Sequence, residues 1–148
     1  MSIPTTVADI MTRKVIYLRE EDNLSHIQQG MERFNLRHFP VLDGDRIVGL
    51  ITHRDILRIA VEQRLTHVPG TPGAKEPKAG EIFVASVMTR DPITVRPETP
   101  IAEAARTLIK ARFGCLPVVD ENHNVVGIVT EHDFLQLLVE LLDEGKCA

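Results

Sequence analysis

Two short strings hold the residues whose types and spacing could do chemistry. They are Thr52 and Asp55 in GLITHRD (49–55), and Thr130 and Asp133 in GIVTEHD (127–133). A threonine followed three residues later by an acid matches a capping box, in which hydroxyl and carboxylate satisfy the first amides of a helix. An acid there also suits the positive end of the helix dipole. The same corner could serve a ligand. Free amides at a helix start receive phosphate. A neighbouring carboxylate accepts hydrogen bonds from a vicinal diol, as the acid that reads ribose does in dinucleotide folds. Gly49 and Gly127 would let another backbone or a flat ring approach closely. Helix capping and ribonucleotide binding both stand on this pattern. A single copy is weak support for the second, and two copies at matching places are much stronger.

Catalytic constellations are not expected. Two aspartates in two separate motifs do not form an acid–base pair. No Ser–His–Asp or metal-ligand spacing is present, and His53 and His132 occupy unlike motif positions. The reading is therefore of a non-enzyme that requires no metal or cofactor. Cys115 and Cys147 stand far apart without CxxC spacing, which argues against structural zinc or a disulfide framework. Cys115 is expected to be a small buried filler.

The elements that must position these residues come from an internal repeat. VADIMTRKVIYLREED (7–22) aligns with VASVMTRDPITVRPET (84–99), and FPVLD (39–43) aligns with LPVVD (116–120), at an offset of 77. One extra residue in ENHN makes the offset 78, so IVGLITHRDIL (47–57) falls on VVGIVTEHDFL (125–135). Each copy predicts strand, helix, strand, strand, helix. KVIYL and PITVR are the leading strands. The first helix starts at Asp22 in copy one; in copy two Thr99 is its N-cap and Pro100 its first residue. Leu24, Ile27, Met31 and Phe34 recur at helical spacing. The paired strands turn through GD and ENHN, and RDILRIAVEQRL and HDFLQLLVELLDE are the closing helices. The expected units are 7–64 and 84–142. Between them 65–83, with the Pro-, Gly- and Lys-rich THVPGTPGAKEPKAGE at 66–81, reads as a linker. One copy buries little surface alone, so two are expected to share a core.

The 148 residues have a net charge of −4 and are 43% hydrophobic, the balance of a soluble globular protein. The charge argues against nucleic-acid binding, which needs a basic face. No apolar run is long enough to span a bilayer, and MSIPTTVADIMTRK lacks the plan of a secretory signal. The expected compartment is the cytoplasm.

Taken as a set, DIMT and SVMT, FPVLD and LPVVD, and GLITHRD and GIVTEHD resemble a pair of CBS domains, the tandem regulatory unit also called a Bateman module. The resemblance covers nearly the whole chain. It implies an α/β (α+β) fold of two β-α-β-β-α repeats packed about a pseudo-two-fold axis, with two clefts for adenosine-containing ligands. It places Asp55 and Asp133 on ribose hydroxyls, and Thr52 and Thr130 on ribose or phosphate. It implies backbone of Pro92 and Ile93 at the adenine of the Asp55 cleft, and of Val15 and Ile16 at that of the Asp133 cleft. Arg37 and His38 stand where the family often meets phosphate, whereas the second copy departs from this with Gly114 and Cys115. Arg54 and His132, and more weakly Arg13 and Arg90, are further phosphate candidates. Each has a plain alternative as a solvated surface charge.

The resulting expectation is a regulatory module that senses AMP, ADP, ATP or S-adenosylmethionine and signals to an effector protein. The rival is a scaffold or dimerisation module with empty clefts. Phe134, Leu135, Leu137, Leu138, Val139, Leu141 and Leu142 in the last helix form a set too wide for one buried stripe. A homodimer is expected to cover it.

Overall fold

The structure is a computed structural model that describes residues 2–66 and 79–145. The bulk of the expected linker, and Cys147, lie outside the described residues. In chain order the elements are a 3-10 turn Val7–Asp9, α1 Leu24–Phe34, β1 His38–Asp43, β2 Arg46–Thr52 and α2 His53–Thr66. After a 3-10 turn Ala79–Glu81 come α3 Val84–Val87, β3 Thr89–Arg90, α4 Ile101–Ala111, β4 Cys115–Val119, β5 Val125–Thr130 and α5 Glu131–Asp143. The fold is mixed helix and strand, with a three-stranded sheet ordered β1-β2-β3 and a two-stranded sheet β4-β5.

The paired strands and closing helices fall where the repeat places them. The leading strands do not form. KVIYL and PITVR each reduce to one parallel bridge, Leu18 to Val41 and Val95 to Val118. The Leu18 amide donates to the Pro40 carbonyl and the Leu42 amide donates to Leu18; Val95, Pro117 and Val119 repeat this. Pro40 and Pro117, at the middle of each pairing, have no N–H to extend the ladder. The first helix of copy two also starts one residue late, with Pro100 as N-cap. The Thr99 hydroxyl instead accepts the Arg96 amide at 2.9 Å. Asp22 holds the Arg19 amide in the same way at 2.7 Å, which leaves Asn23 as the N-cap of α1.

The chain divides into two compact units that are not the two sequence repeats. One, here the terminal unit, takes residues 2–15, 45–47 and 92–145. The other, the middle unit, takes 16–44, 48–66 and 79–91. The middle unit's core gathers Leu18, Leu24, Ile27, Phe39, Val41 and Ile51 with Val84 and Met88. The terminal unit's core gathers Val95, Ala104, Leu108, Leu116, Val118 and Val129 with Val7 and Met11. Each repeat's leading segment thus closes the core built by the other repeat.

Glycine explains how closely these segments dock. A Cβ on Gly127 would stand 2.7 Å from the Met11 sulfur and 3.1 Å from the Thr12 carbonyl oxygen. A Cβ on Gly49 would collide with the Met88 sulfur and stand 3.1 Å from the Thr89 carbonyl. β2 pairs antiparallel with β3 at Gly49–Arg90 and Leu50–Thr89. Thr12 and Ile128 exchange both backbone hydrogen bonds at 2.9 Å. Of the two guests expected at these glycines, the one present is another backbone.

Candidate functional site

Each Thr–Asp motif sits where a strand hands over to a helix. In the middle unit, β2 ends at Thr52 and α2 starts at His53. The Thr52 amide donates to Asp55 Oδ2 at 2.8 Å and its hydroxyl donates to the same oxygen at 3.1 Å. The Asp55 amide returns a longer bond to the Thr52 hydroxyl oxygen, 3.4 Å. In the terminal unit, the Thr130 amide and hydroxyl donate to Asp133 Oδ2 at 2.7 and 3.3 Å. Thr130 is extended, with φ −122° and ψ 166°, and completes the capping box of α5. The capping reading is therefore realised in both copies, and one oxygen of each carboxylate is committed to it.

A third box has the same plan. The amides of Thr5 and Thr6 and the Thr6 hydroxyl all donate to Asp9 Oδ2. Those backbone donors hold the Asp9 carboxyl below its usual value of 3.8. Its presence outside the repeated motif shows that the box by itself is structural.

The phosphate expectation is modified at the helix starts. The His53 amide donates to the Arg37 carbonyl at 2.9 Å, and the Glu131 amide donates to the Gly114 carbonyl at 3.0 Å. With the Thr52 and Asp55 amides also donating internally, much of the amide cradle expected in the middle unit is already used. The Arg37 contact is informative in its own right, because it fixes Arg37 beside the first residue of α2. Arg37 and Arg54 are exposed and His38 is half-buried. The terminal unit has Gly114 at the matching place, followed by Cys115, which is buried with its thiol pushed up to about 12 by desolvation and by Glu131. It is the buried filler the sequence suggests. His132 is exposed on α5. Arg13 and Arg90 each turn back to a carbonyl of their own leading segment, Ala8 and Ala85, at 3.4 Å. Arg90 also pairs with Glu20 at 3.3 Å.

Of the expected adenine-facing residues, Val15, Pro92 and Ile93 belong to the terminal unit with Asp133, and Ile16 to the middle unit with Asp55. Pro92 is buried, Ile93 is exposed, and Val15 and Ile16 are half-buried. Ile16 packs against the middle unit's core.

Sequence reasoning missed the residues one turn further along each helix. Arg58 Nη2 lies 3.6 Å from Asp55 Oδ1. Its counterpart is Gln136, and Asp133 Oδ1 has no partner among the described residues. A cleft of about 160 Å3 opens beside Asp133, lined by Ile10, Gln136, Leu137 and Glu140. The available signal was the helical spacing 133, 136, 137, 140. A wider notch of about 290 Å3, between Arg96, Pro97, Glu98, Asp120, Glu121 and Asn122, contains none of the motif residues. There Arg96 pairs with Glu98, and Asp120 accepts the amides of Asn122 and Asn124.

The chain resembles known proteins along nearly its whole length. The family model for the CBS domain matches residues 7–62 and again 84–140. A CBS domain-containing protein of Dictyostelium discoideum is 28% identical over 141 residues, 93% of each chain. The inosine-5'-monophosphate dehydrogenase of Korarchaeum cryptofilum is 30% identical over 121 residues, but the chain spans only 22% of its length. Among solved structures, CBSX2 in complex with AMP superposes with a TM-score of 0.76 at 26% identity, covering 93% of this chain and 98% of that one. The CBS domain pair of protein MJ0100, in complex with 5'-methylthioadenosine and S-adenosyl-L-methionine, gives 0.76 at 27% identity with the same coverage.

Proposed function

The chain belongs to the CBS domain family, and we propose that it is a regulatory binding module for adenosyl ligands rather than an enzyme. The observation that carries this reading is the repeated box, in which each aspartate keeps one oxygen outside the cap. That oxygen is the natural acceptor for a ribose hydroxyl, with the threonine beside it. Val15, Ile16, Pro92 and Ile93 are assigned to adenine, their backbone to its edge and their aliphatic side chains to its faces. Arg37, His38, Arg54 and His132 are assigned to phosphate. The ligands recorded for CBSX2 and MJ0100 support AMP or S-adenosylmethionine as first candidates, with ADP and ATP beside them. The bound state is read out by an effector protein. Among the described residues no helix is long and apolar enough to cross a membrane, and the cytoplasm is the proposed compartment.

Calorimetric titration with AMP, ADP, ATP, S-adenosylmethionine, NAD and cyclic dinucleotides tests the reading. At least one adenosyl ligand should bind. Asp55→Ala and Asp133→Ala should each weaken one binding event roughly tenfold or more, the scale of a lost charge-assisted contact. Each should cost only about 1 kcal/mol of stability, the scale of a lost cap. Unchanged binding with lost stability would leave the box as a cap alone.

Self-association is a second proposal, with its own observation. α5 has no fully buried residue, and Leu135, Leu138, Val139 and Leu142 are all exposed on it. On α2, Leu57 and Val61 are exposed as well. Water-facing aliphatics in such number support a homodimer.

A further inference from the structure

The two motifs share the threonine and the aspartate, and one turn later they differ in charge, with Arg58 in one and Gln136 in the other. In the middle unit Arg58 stands 3.6 Å from Asp55 Oδ1. Arg58 is 58% exposed, so this pair adds little to stability. Its consequence is electrostatic: a cation sits beside the carboxylate, on the helix whose first amide is held by Arg37. In the terminal unit Gln136 brings no charge. Asp133 Oδ1 is left without a partner among the described residues. Glu140 lines the same cleft, but its counterpart on α2 is Glu62, so the difference in charge one turn along rests on Arg58 against Gln136. Gly114 and the neutral Cys115 thiol replace the basic pair at the helix start. Arg13 of the leading segment turns to the Ala8 carbonyl. Neither Arg13 nor Lys14 lines the cleft.

We propose that Arg58 and Gln136 are specificity-determining residues, so that the Asp55 motif takes phosphorylated adenosyl ligands and the Asp133 cleft takes adenosyl ligands whose 5' substituent is uncharged or cationic. The physical basis is that a phosphate meets the Arg58 cation beside the first aspartate and uncharged Gln136 beside the second. At an effective dielectric near 20, one unit charge a few ångströms away changes affinity by about tenfold or more. The ribose acceptor, the aspartate oxygen outside the cap, is common to both motifs. This inference rests on the adenosyl-binding reading above.

The full chain is titrated with adenosine and AMP. In an Asp55→Ala background, which leaves the Asp133 cleft to be read alone, adenosine should bind more tightly than AMP. Adding Gln136→Arg should raise AMP affinity about tenfold, with adenosine affinity little changed, as one added charge near a phosphate predicts. In an Asp133→Ala background, Arg58→Gln should lower AMP affinity by a similar factor; Arg58 is exposed, so this variant should fold even if Gln136→Arg does not. An AMP-to-adenosine ratio that neither substitution moves overturns the specificity assignment and leaves the adenosyl-binding reading standing. Binding to wild type that vanishes in the Asp55→Ala background removes the Asp133 cleft as a site, which also overturns it. Failure of wild type to bind any adenosyl ligand overturns both.

Discussion

At Asp9, Asp55 and Asp133 one local device is used three times: a carboxylate that accepts the amide and hydroxyl of a threonine three residues earlier. Only the last two sit in the repeated GxxTxxD string, so position in the repeat, and not the bonding pattern, sets the two proposed ligand motifs apart from the Asp9 turn. Asp9 offers a clean test of the device, because its carboxyl is held below 3.8 mainly by the Thr6 and Thr5 amides. A depressed folded-state value means the stabilisation is fully present above 3.8 and is lost as pH falls through the lower folded value. Asp9→Asn should therefore melt below wild type at neutral pH, and the gap should close as the pH drops well under 3.8. A gap that persists undiminished in acid would show that charge is not what the Thr5 and Thr6 amides recognise. The threonine–aspartate pairs were legible from spacing alone. Arg58 and Gln136 were not, because a residue type says nothing about which carboxylate oxygen it faces.

At the scale of elements, hydrophobic periodicity located α1, α2, α4, α5 and the paired strands, since those patterns depend on neighbours in sequence. The leading strands were misread for a non-local reason: among the described residues their parallel partners, β1 and β4, carry Pro40 and Pro117 beside the bridge. The short helix α3 and the strand β3 were missed because four and two residues are too few to show a period. The glycines were half legible. Their need for a close approach could be read, but the approaching group, Met88 with Thr89 or Met11 with Thr12, lies far along the chain. Gly49→Ala and Gly127→Ala should each destabilise by about 1–3 kcal/mol, the scale of overpacking. The methionine end can move, but the carbonyls at 3.1 Å belong to paired backbone and yield less. Equilibrium unfolding checks this, and a neutral result at both positions would mean the segments dock loosely. On α5, Leu138→Glu should shift the mass seen by light scattering from dimer to monomer. It should do so with little loss in melting temperature of the monomer, since Leu138 is already exposed in the isolated chain. A wild-type chain that is monomeric at micromolar concentration would contradict the proposed dimer.

For the whole molecule, the sequence repeat and the compact unit are different divisions of the chain. Internal similarity at an offset of 77 suggests two pieces that each fold alone, and the need to share a core was expected only from their small size. The structure shows a specific dependence. The middle unit's buried cluster requires Val84 and Met88, which follow the segment between the repeats, and the terminal unit's requires Val7 and Met11 from the start of the chain. Val7 and Val84 are fully buried, and the Met11 and Met88 side chains are nearly so. Leaving out a buried methionine alone is worth about 2–5 kcal/mol, a large share of the total stability of a small domain. A fragment ending at residue 78 contains the whole first repeat but lacks α3 and β3, so its core stays open and β2 loses its antiparallel neighbour. It should show no cooperative thermal transition. A fragment ending at residue 91 restores Val84, Met88 and the β2–β3 pairing and should regain one, despite adding only the segment across the linker. Far-ultraviolet circular dichroism on the two fragments compares them directly. Equal, cooperative melting of both would mean that the first repeat is self-sufficient and that the exchanged segments are ornament to its core, not part of it.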